Sequence, residues 1–156
     1  MQTIEQQLGT ILRDHHLTIA TAESCTGGRL AALLNKWPGS SDYYMGSVIA
    51  YSNDVKQRVL GVSAHVVQTV GAVSEETVRQ MAEGVRNLIR TNYAIATSGI
   101  AGPGGGSAEK PVGTVWIAWA TPKETIARCY HFMGTREEIT NQAAETALQE
   151  LLHQFE

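Results

Sequence analysis

The chain has 156 residues, enough for one domain with a substantial core. Its 43% hydrophobic and 17% charged residues are ordinary for a globular protein. No apolar run approaches the roughly 18 residues that span a bilayer, no basic or apolar leader opens the chain, and a net charge of −3 without a Lys/Arg run argues against a nucleic-acid surface, so the composition points to a soluble cytoplasmic protein.

Residues 3–15 read as an amphipathic helix. Thr3 and Gln6 have capping-box spacing, and Ile4, Leu8, Ile11 and Leu12 form one apolar stripe. His15 and His16 follow; adjacent helical residues point to different sides and cannot share a metal from one face. Leu17 to Ala20 reads as a short buried strand, and 29–36 as a helix, with Leu30, Leu33 and Leu34 at helical spacing. Between them lies Thr21-Ala22-Glu23-Ser24-Cys25-Thr26-Gly27-Gly28, a small polar cluster with two glycines. The first N–H groups of a helix have no intrahelical partner and favour a negative charge beside them. Ser24 is therefore either a hydroxyl facing a reacting group or, like Thr26, a plain helix cap.

A break at Lys36-Trp37-Pro38-Gly39-Ser40-Ser41 precedes a strand over 43–51, rich in aromatic and β-branched residues. Asn53 is a good cap for a helix through Leu60, and Gly61 closes it. Lys56 falls in the first turn of that helix, where a cation opposes the dipole. Ser63 opens a short helical turn before Gly71. Ser74 caps the clearest helix, with Val78, Met81, Ala82, Val85, Leu88 and Ile89 recurring at three and four. A strand over 93–97 runs into the glycine-dense stretch from Ser98 to Ser107. Residues 112–121 and 125–132 read as a hairpin turning at Pro122-Lys123-Glu124, and 135–155 as a last helix. Alternating strands and helices followed by a hairpin and a helix predict a three-layer α/β/α sandwich on a mixed, mostly parallel sheet, forming a single domain over 1–156.

Ligands of such sheets bind at the carboxyl ends of the strands. Three strand ends carry polar or glycine-rich continuations: Ser24; Tyr51-Ser52-Asn53 with Lys56; and Ser98 to Ser107. A serine nucleophile needs a base, and no histidine lies near a strand end. Lysine serves if burial lowers its pKa. Of the four lysines, Lys36 suits a helix C-terminus and Lys123 an exposed turn, which leaves Lys56 and Lys110 beside the rim. Tyr51 offers a hydroxyl to relay a proton. The glycine loop either cradles a phosphate through its N–H groups or presents Ser98; it matches neither the P-loop nor the dinucleotide-binding pattern. Cys25 is a second candidate nucleophile, although without an activating histidine it reads as a small buried thiol. Cys25 and Cys129, far apart, have no metal-ligand spacing.

Ala22 to Gly28, Gly39-Ser40-Ser41, Tyr51-Ser52-Asn53, Gly71 to Glu75, Ser98 to Pro103 and Lys110 to Trp116 together resemble the CinA C-terminal domain family, whose enzymatic members are the nicotinamide mononucleotide deamidases (PncC type). The resemblance covers nearly the whole chain, whose length suits a stand-alone form of the domain. It implies an α/β/α fold and hydrolysis of nicotinamide mononucleotide to nicotinate mononucleotide and ammonia, with no metal and no cofactor. Carried over by motif, Ser24 is the nucleophile, Lys56 the base, Tyr51 an assisting hydroxyl and Ser98 a further active-site hydroxyl. On that footing, amides near Thr26 and Gly27 hold the oxyanion, and Gly28 is a further substrate-binding residue. Gly99 and Gly102 shape the substrate loop, and Arg29 or Lys110 meets the 5′-phosphate. A mononucleotide-binding module without turnover, or an interaction protein tied to DNA uptake or damage, are the competing readings. A homo-oligomer is compatible with either; nucleic-acid and membrane partners are not expected.

Overall fold

A computed structural model describes all residues, Met1–Glu156. Five strands, β1 (Ile19–Glu23), β2 (Tyr44–Ile49), β3 (Tyr93–Gly99), β4 (Thr114–Ala120) and β5 (Thr125–His131), form one sheet in the order β2-β1-β3-β4-β5. The pairs β1–β2 and β1–β3 are parallel; β3–β4 and β4–β5 are antiparallel. Four strands therefore run one way and β4 alone runs back. Six helices accompany them: α1 (Ile4–Asp14), α2 (Arg29–Leu34), α3 (Asn53–Leu60), α4 (Ala64–Val70), α5 (Glu75–Ile89) and α6 (Arg136–His153). No helix is long and apolar enough to cross a membrane.

The sheet buries both faces. Leu8 and Leu12 of α1, Leu30 and Leu34 of α2, and Ile139, Leu148 and Leu151 of α6 pack on one side, over Ile19, Ile95, Ile117 and Trp119. Val78, Met81, Ala82 and Val85 of α5 pack on the other, with Leu60 and Val62, over Ala20, Ala22, Ala94, Ala96 and Ala118. The alternation of alanine with bulkier residues along β1, β3 and β4 explains this asymmetry. The small side chains let α5 lie close to the sheet, and the large ones fill the opposite layer. Trp119 donates its indole N–H to the Ala147 carbonyl (2.9 Å), so its burial against α6 leaves no polar atom unpaired.

The capping signals set most helix boundaries. The Thr3–Gln6 box forms as its spacing predicts, and an equivalent box, Thr135 with Glu138, opens α6. Ser63 and Ser74 cap α4 and α5. At α3 the cap is Ser52 rather than Asn53, because the Ser52 hydroxyl accepts the Val55 N–H while Asn53 is already helical. The largest boundary difference is β1. It starts two residues later than expected and continues to Glu23, paired on both sides through Glu23–Ile49 and Glu23–Thr97. Central position in the sheet thus draws the first residues of the polar cluster into strand.

Candidate active site

Because β1, β2 and β3 are parallel neighbours, the chain leaves all three at one edge of the sheet. Ser24 follows β1, Tyr51 and Ser52 lie between β2 and α3, and Ser98 and Gly99 close β3. Ser24, Tyr51, Ser98 and Gly99 line one cleft of about 290 Å³ with Cys25, Asn53, Lys56, Ala72, Val73, Ile100, Ala101, Gly102, Gly104, Gly105 and Arg136. A larger hollow of about 510 Å³ beside the start of α1 includes Glu5, Lys36 and Glu145 but no nucleophile paired with a base. The serine and lysine meet at the strand ends.

The turn that carries Ser24 needs its two glycines. Gly27 and Gly28 both have left-handed φ values, 53° and 105°, which side chains bearing a Cβ rarely adopt. They bend the chain from β1 into α2 within five residues. The Ser24 N–H donates to the Thr97 carbonyl (3.0 Å) and its own carbonyl accepts the Gly27 N–H (3.1 Å), so the residue is fixed on both sides.

Lys56 comes to the same place from α3. Its Nζ donates to Ser24 Oγ (3.0 Å) and to the Tyr51 carbonyl (2.9 Å). Lys56 is 1% exposed and Ser24 8%. Burial pulls the Lys56 amine below its ordinary value, because desolvation penalises the charged form. The odd position of a lysine in the first turn of a helix is explained: the side chain reaches inward to the serine. The Cys25 thiol, beside them, is pushed up to about 12, chiefly by burial. A thiol held protonated in this way is a poor nucleophile.

Of the other candidate residues, Tyr51, Ser98, Gly99 and Gly102 line the cleft, and Thr26, Arg29 and Lys110 do not. The Tyr51 hydroxyl is at the mouth of the cleft, 61% exposed, and accepts from an Arg136 guanidinium nitrogen (3.0 Å); only the Tyr51 backbone meets Lys56. Ser98 lines the cleft with its hydroxyl proton on the Ala72 carbonyl (2.8 Å). Gly99 and Gly102 also line it. Thr26 is fully buried beneath the turn, its hydroxyl shared between Glu23 and Thr97. Arg29 turns away, to Asn141 Oδ1 (2.9 Å) and the Thr26 carbonyl (3.1 Å). Lys110 donates to the Val70 carbonyl (2.9 Å) and does not line the cleft.

The N-terminus of α2 is not open to a ligand. The N–H groups of Gly28, Leu30 and Ala31 are all taken by the Glu23 carboxylate. The expected anion site is filled by the residue before Ser24. Nor does Ser24 or Thr26 cap the helix, whose N-cap is Gly28. The N–H groups of Cys25 and Thr26, by contrast, meet no backbone carbonyl, and neither do those of Ala101, Gly102, Gly104 and Gly105 in the glycine loop.

Two residues of the site escaped the sequence reading. Arg136, the first residue of α6, donates to the Gly102 carbonyl (2.9 Å) and the Tyr51 hydroxyl, bridging two sides of the cleft. It is a cation at a helix N-terminus, the same anomaly that marks Lys56. Glu23 carried no signal beyond its place in the cluster. With Arg136 present and no acidic side chain lining it, the cleft suits an anionic ligand. No group of three or more His, Cys, Asp or Glu side chains is arranged to hold a metal ion.

A model of the CinA C-terminal domain matches residues 1–155. A CinA-like protein of Desulforapulum autotrophicum is 50% identical over 147 residues, 94% of this chain and 35% of that protein. A putative competence-damage inducible protein of Moorella thermoacetica is 48% identical over 94% of the chain, again 35% of the relative. The chain thus spans about a third of the length of these curated relatives. Among solved structures, the competence damage-inducible protein A of Klebsiella pneumoniae superposes with a TM-score of 0.94 at 36% identity, covering 97% of this chain and 94% of that one. The competence/damage inducible protein of Agrobacterium tumefaciens gives 0.93 at 38% identity, with both chains fully covered.

Proposed function

This chain belongs to the CinA C-terminal domain family, and on that premise we propose that its cleft hydrolyses the carboxamide of nicotinamide mononucleotide, giving nicotinate mononucleotide and ammonia for pyridine nucleotide recycling. The observation that carries the reading is the 3.0 Å contact between the buried Lys56 amine and Ser24 Oγ. A nucleophile and a base already within hydrogen-bond reach are what acyl transfer requires.

In this mechanism neutral Lys56 takes the Ser24 proton as Oγ attacks the carboxamide carbon. The N–H groups of Cys25 and Thr26, free of backbone acceptors, receive the developing oxyanion. The C–N bond then breaks, Lys56 returns its proton to the departing nitrogen, and ammonia leaves an ester on Ser24. Water, deprotonated by Lys56, attacks that ester; the acid is released and Ser24 recovers its proton. Ser98 has a defined part. With its proton committed to the Ala72 carbonyl it offers lone pairs, and it accepts an N–H from the substrate amide. Arg136 and the free N–H groups of the glycine loop take the phosphate, in place of Arg29 and Lys110.

The test is ammonia release from nicotinamide mononucleotide by the purified protein, with Ser24→Ala and Lys56→Ala alongside. Turnover in the wild type that is lost in both variants supports the dyad. Turnover surviving Ser24→Ala removes the nucleophile. Binding without turnover in the wild type leaves a nucleotide-binding module.

A further inference from the structure

Glu23 is fully buried, and no lysine, arginine or histidine pairs with it. Its two oxygens instead take five hydrogen bonds from its own neighbourhood. Oε1 accepts from the Thr26 hydroxyl (2.7 Å), the Gly28 N–H (3.1 Å) and the Leu30 N–H (3.0 Å). Oε2 accepts from the Ala31 N–H (2.9 Å) and the Thr21 hydroxyl (3.0 Å). Burying a carboxylate is costly, and charge-assisted bonds of this number are what offset it. A simple cap would need far less. Ser, Thr, Asp or Asn at the N-cap satisfies one or two helix N–H groups locally, whereas this carboxylate reaches from the strand before the turn to the helix after it. The five residues between, Ser24 to Gly28, are tied at both ends to one side chain.

We propose that Glu23 is the positioning residue of the site: it staples the Ser24–Gly28 turn from beneath, and so holds Ser24 Oγ on Lys56 and keeps the Cys25 and Thr26 N–H groups unpaired for the oxyanion. The inference rests on the reading of Ser24 as nucleophile, and not on which amide is the substrate. The staple also decides where an anion is stabilised. Because Glu23 takes the Gly28, Leu30 and Ala31 N–H groups, the α2 end offers no donor to an anion beside Ser24, and the turn offers those of Cys25 and Thr26.

Glu23→Gln tests this with almost no change of shape. One side of the Gln side chain keeps three donors, but on the other its NH2 faces the Ala31 N–H, donor against donor. Two rates are measured on protein shown to be folded at the assay temperature. One is labelling of Ser24 by a fluorophosphonate, in which Oγ bonds phosphorus and fluoride leaves, read by intact mass with Ser24→Ala as the blank. The other is kcat with KM for nicotinamide mononucleotide. A displaced turn slows labelling and kcat together, on the order of 10–100-fold, and leaves KM within about threefold. Labelling at the wild-type rate, with only the melting temperature lowered, makes Glu23 a helix cap and overturns the proposal. If Glu23→Gln does not fold, Thr26→Val removes one Oε1 donor at constant shape, and unchanged labelling there overturns it equally. Wild-type protein that labels at Ser24 without hydrolysing nicotinamide mononucleotide refutes the substrate and leaves the staple to be judged by labelling alone. Wild-type protein that does not label at Ser24 refutes both.

Discussion

Gly84→Ala is the substitution that most directly joins packing to chemistry. Gly84 sits in the middle of α5, where helix propensity alone makes alanine the better residue by about 1 kcal/mol. A Cβ built there, however, lies 2.0 Å from the Leu60 carbonyl oxygen at the end of α3. An ordinary carbon–oxygen contact is about 3.4 Å, so α3 and α5 must part by about 1.4 Å, and a backbone carbonyl has no rotamer with which to yield. Overpacking of this kind costs about 1–3 kcal/mol, which offsets the propensity gain and leaves a net loss of up to about 2 kcal/mol. At this chain length that lowers the melting temperature by up to about 8 °C. Lys56 is one turn before Leu60 on α3, so the displacement is passed to the Lys56–Ser24 contact. A shift of that size at a reacting pair costs about 100-fold in rate. Thermal melts followed by circular dichroism and kcat from ammonia release therefore fall together. A Gly84→Ala protein that melts a few degrees higher with unchanged kcat refutes the argument.

Four further outcomes follow. Log kcat/KM rises with pH up to a break below the ordinary lysine value of 10.5, since neutral Lys56 is the active form and burial lowers its pKa; Lys56→Arg, always charged, loses about 10³-fold or more, measured as ammonia release across pH. The same shift has a sign for stability. Between the folded and ordinary pKa the unfolded chain binds the extra proton, so the penalty is fully present below the folded value and disappears as pH rises; melts of wild type and Lys56→Met should diverge in favour of the wild type with increasing pH. Cys25→Ser keeps kcat within about threefold, and iodoacetamide at pH 7 modifies exposed Cys129 while sparing Cys25, whose thiol is held protonated; peptide mass mapping reads both. Arg136→Met raises KM about 10–100-fold with a much smaller change in kcat, as expected for a group that binds phosphate away from the bond that breaks; initial rates at varied substrate separate the two.

The layers of the fold were legible because local signals agreed. The Thr3–Gln6 capping box, a clear 3–4 stripe on α5 and small-residue strands each pointed to the same sandwich. The shared rim followed from parallel topology, and Lys56 from a cation placed against a helix dipole. Contacts made across the sequence were not legible. Its place at a helix N-terminus is the one local mark of Arg136, and its partners, Gly102 and Tyr51, are brought to it from 34 and 85 residues away. Arg29 and Lys110 read as phosphate ligands from their neighbourhood, yet Asn141 and the Val70 carbonyl claim them from elements far off in the chain. The reach of Glu23 past its own turn depends on the left-handed pair Gly27–Gly28, which the sequence permits without requiring.

In the proposed mechanism a lysine takes a role usually given to histidine. A buried amine works as a base only while nothing nearby restores its charge, and a carboxylate within reach would do so. Two opposite charges, Lys56 and Glu23, are buried on either side of one short turn, and both are near enough to Cys25 to influence its thiol. A direct ion pair between them would satisfy both and silence the base. The chain keeps them apart by giving each other partners. Glu23 is saturated by five donors from the turn and α2, while Lys56 holds only a hydroxyl and a carbonyl, neither of which carries charge. The left-handed glycines make this separation possible, because they fold α2 back over Glu23 and away from the cleft. Ser24, the residue between the two environments, is thereby left facing an amine whose proton affinity burial has lowered.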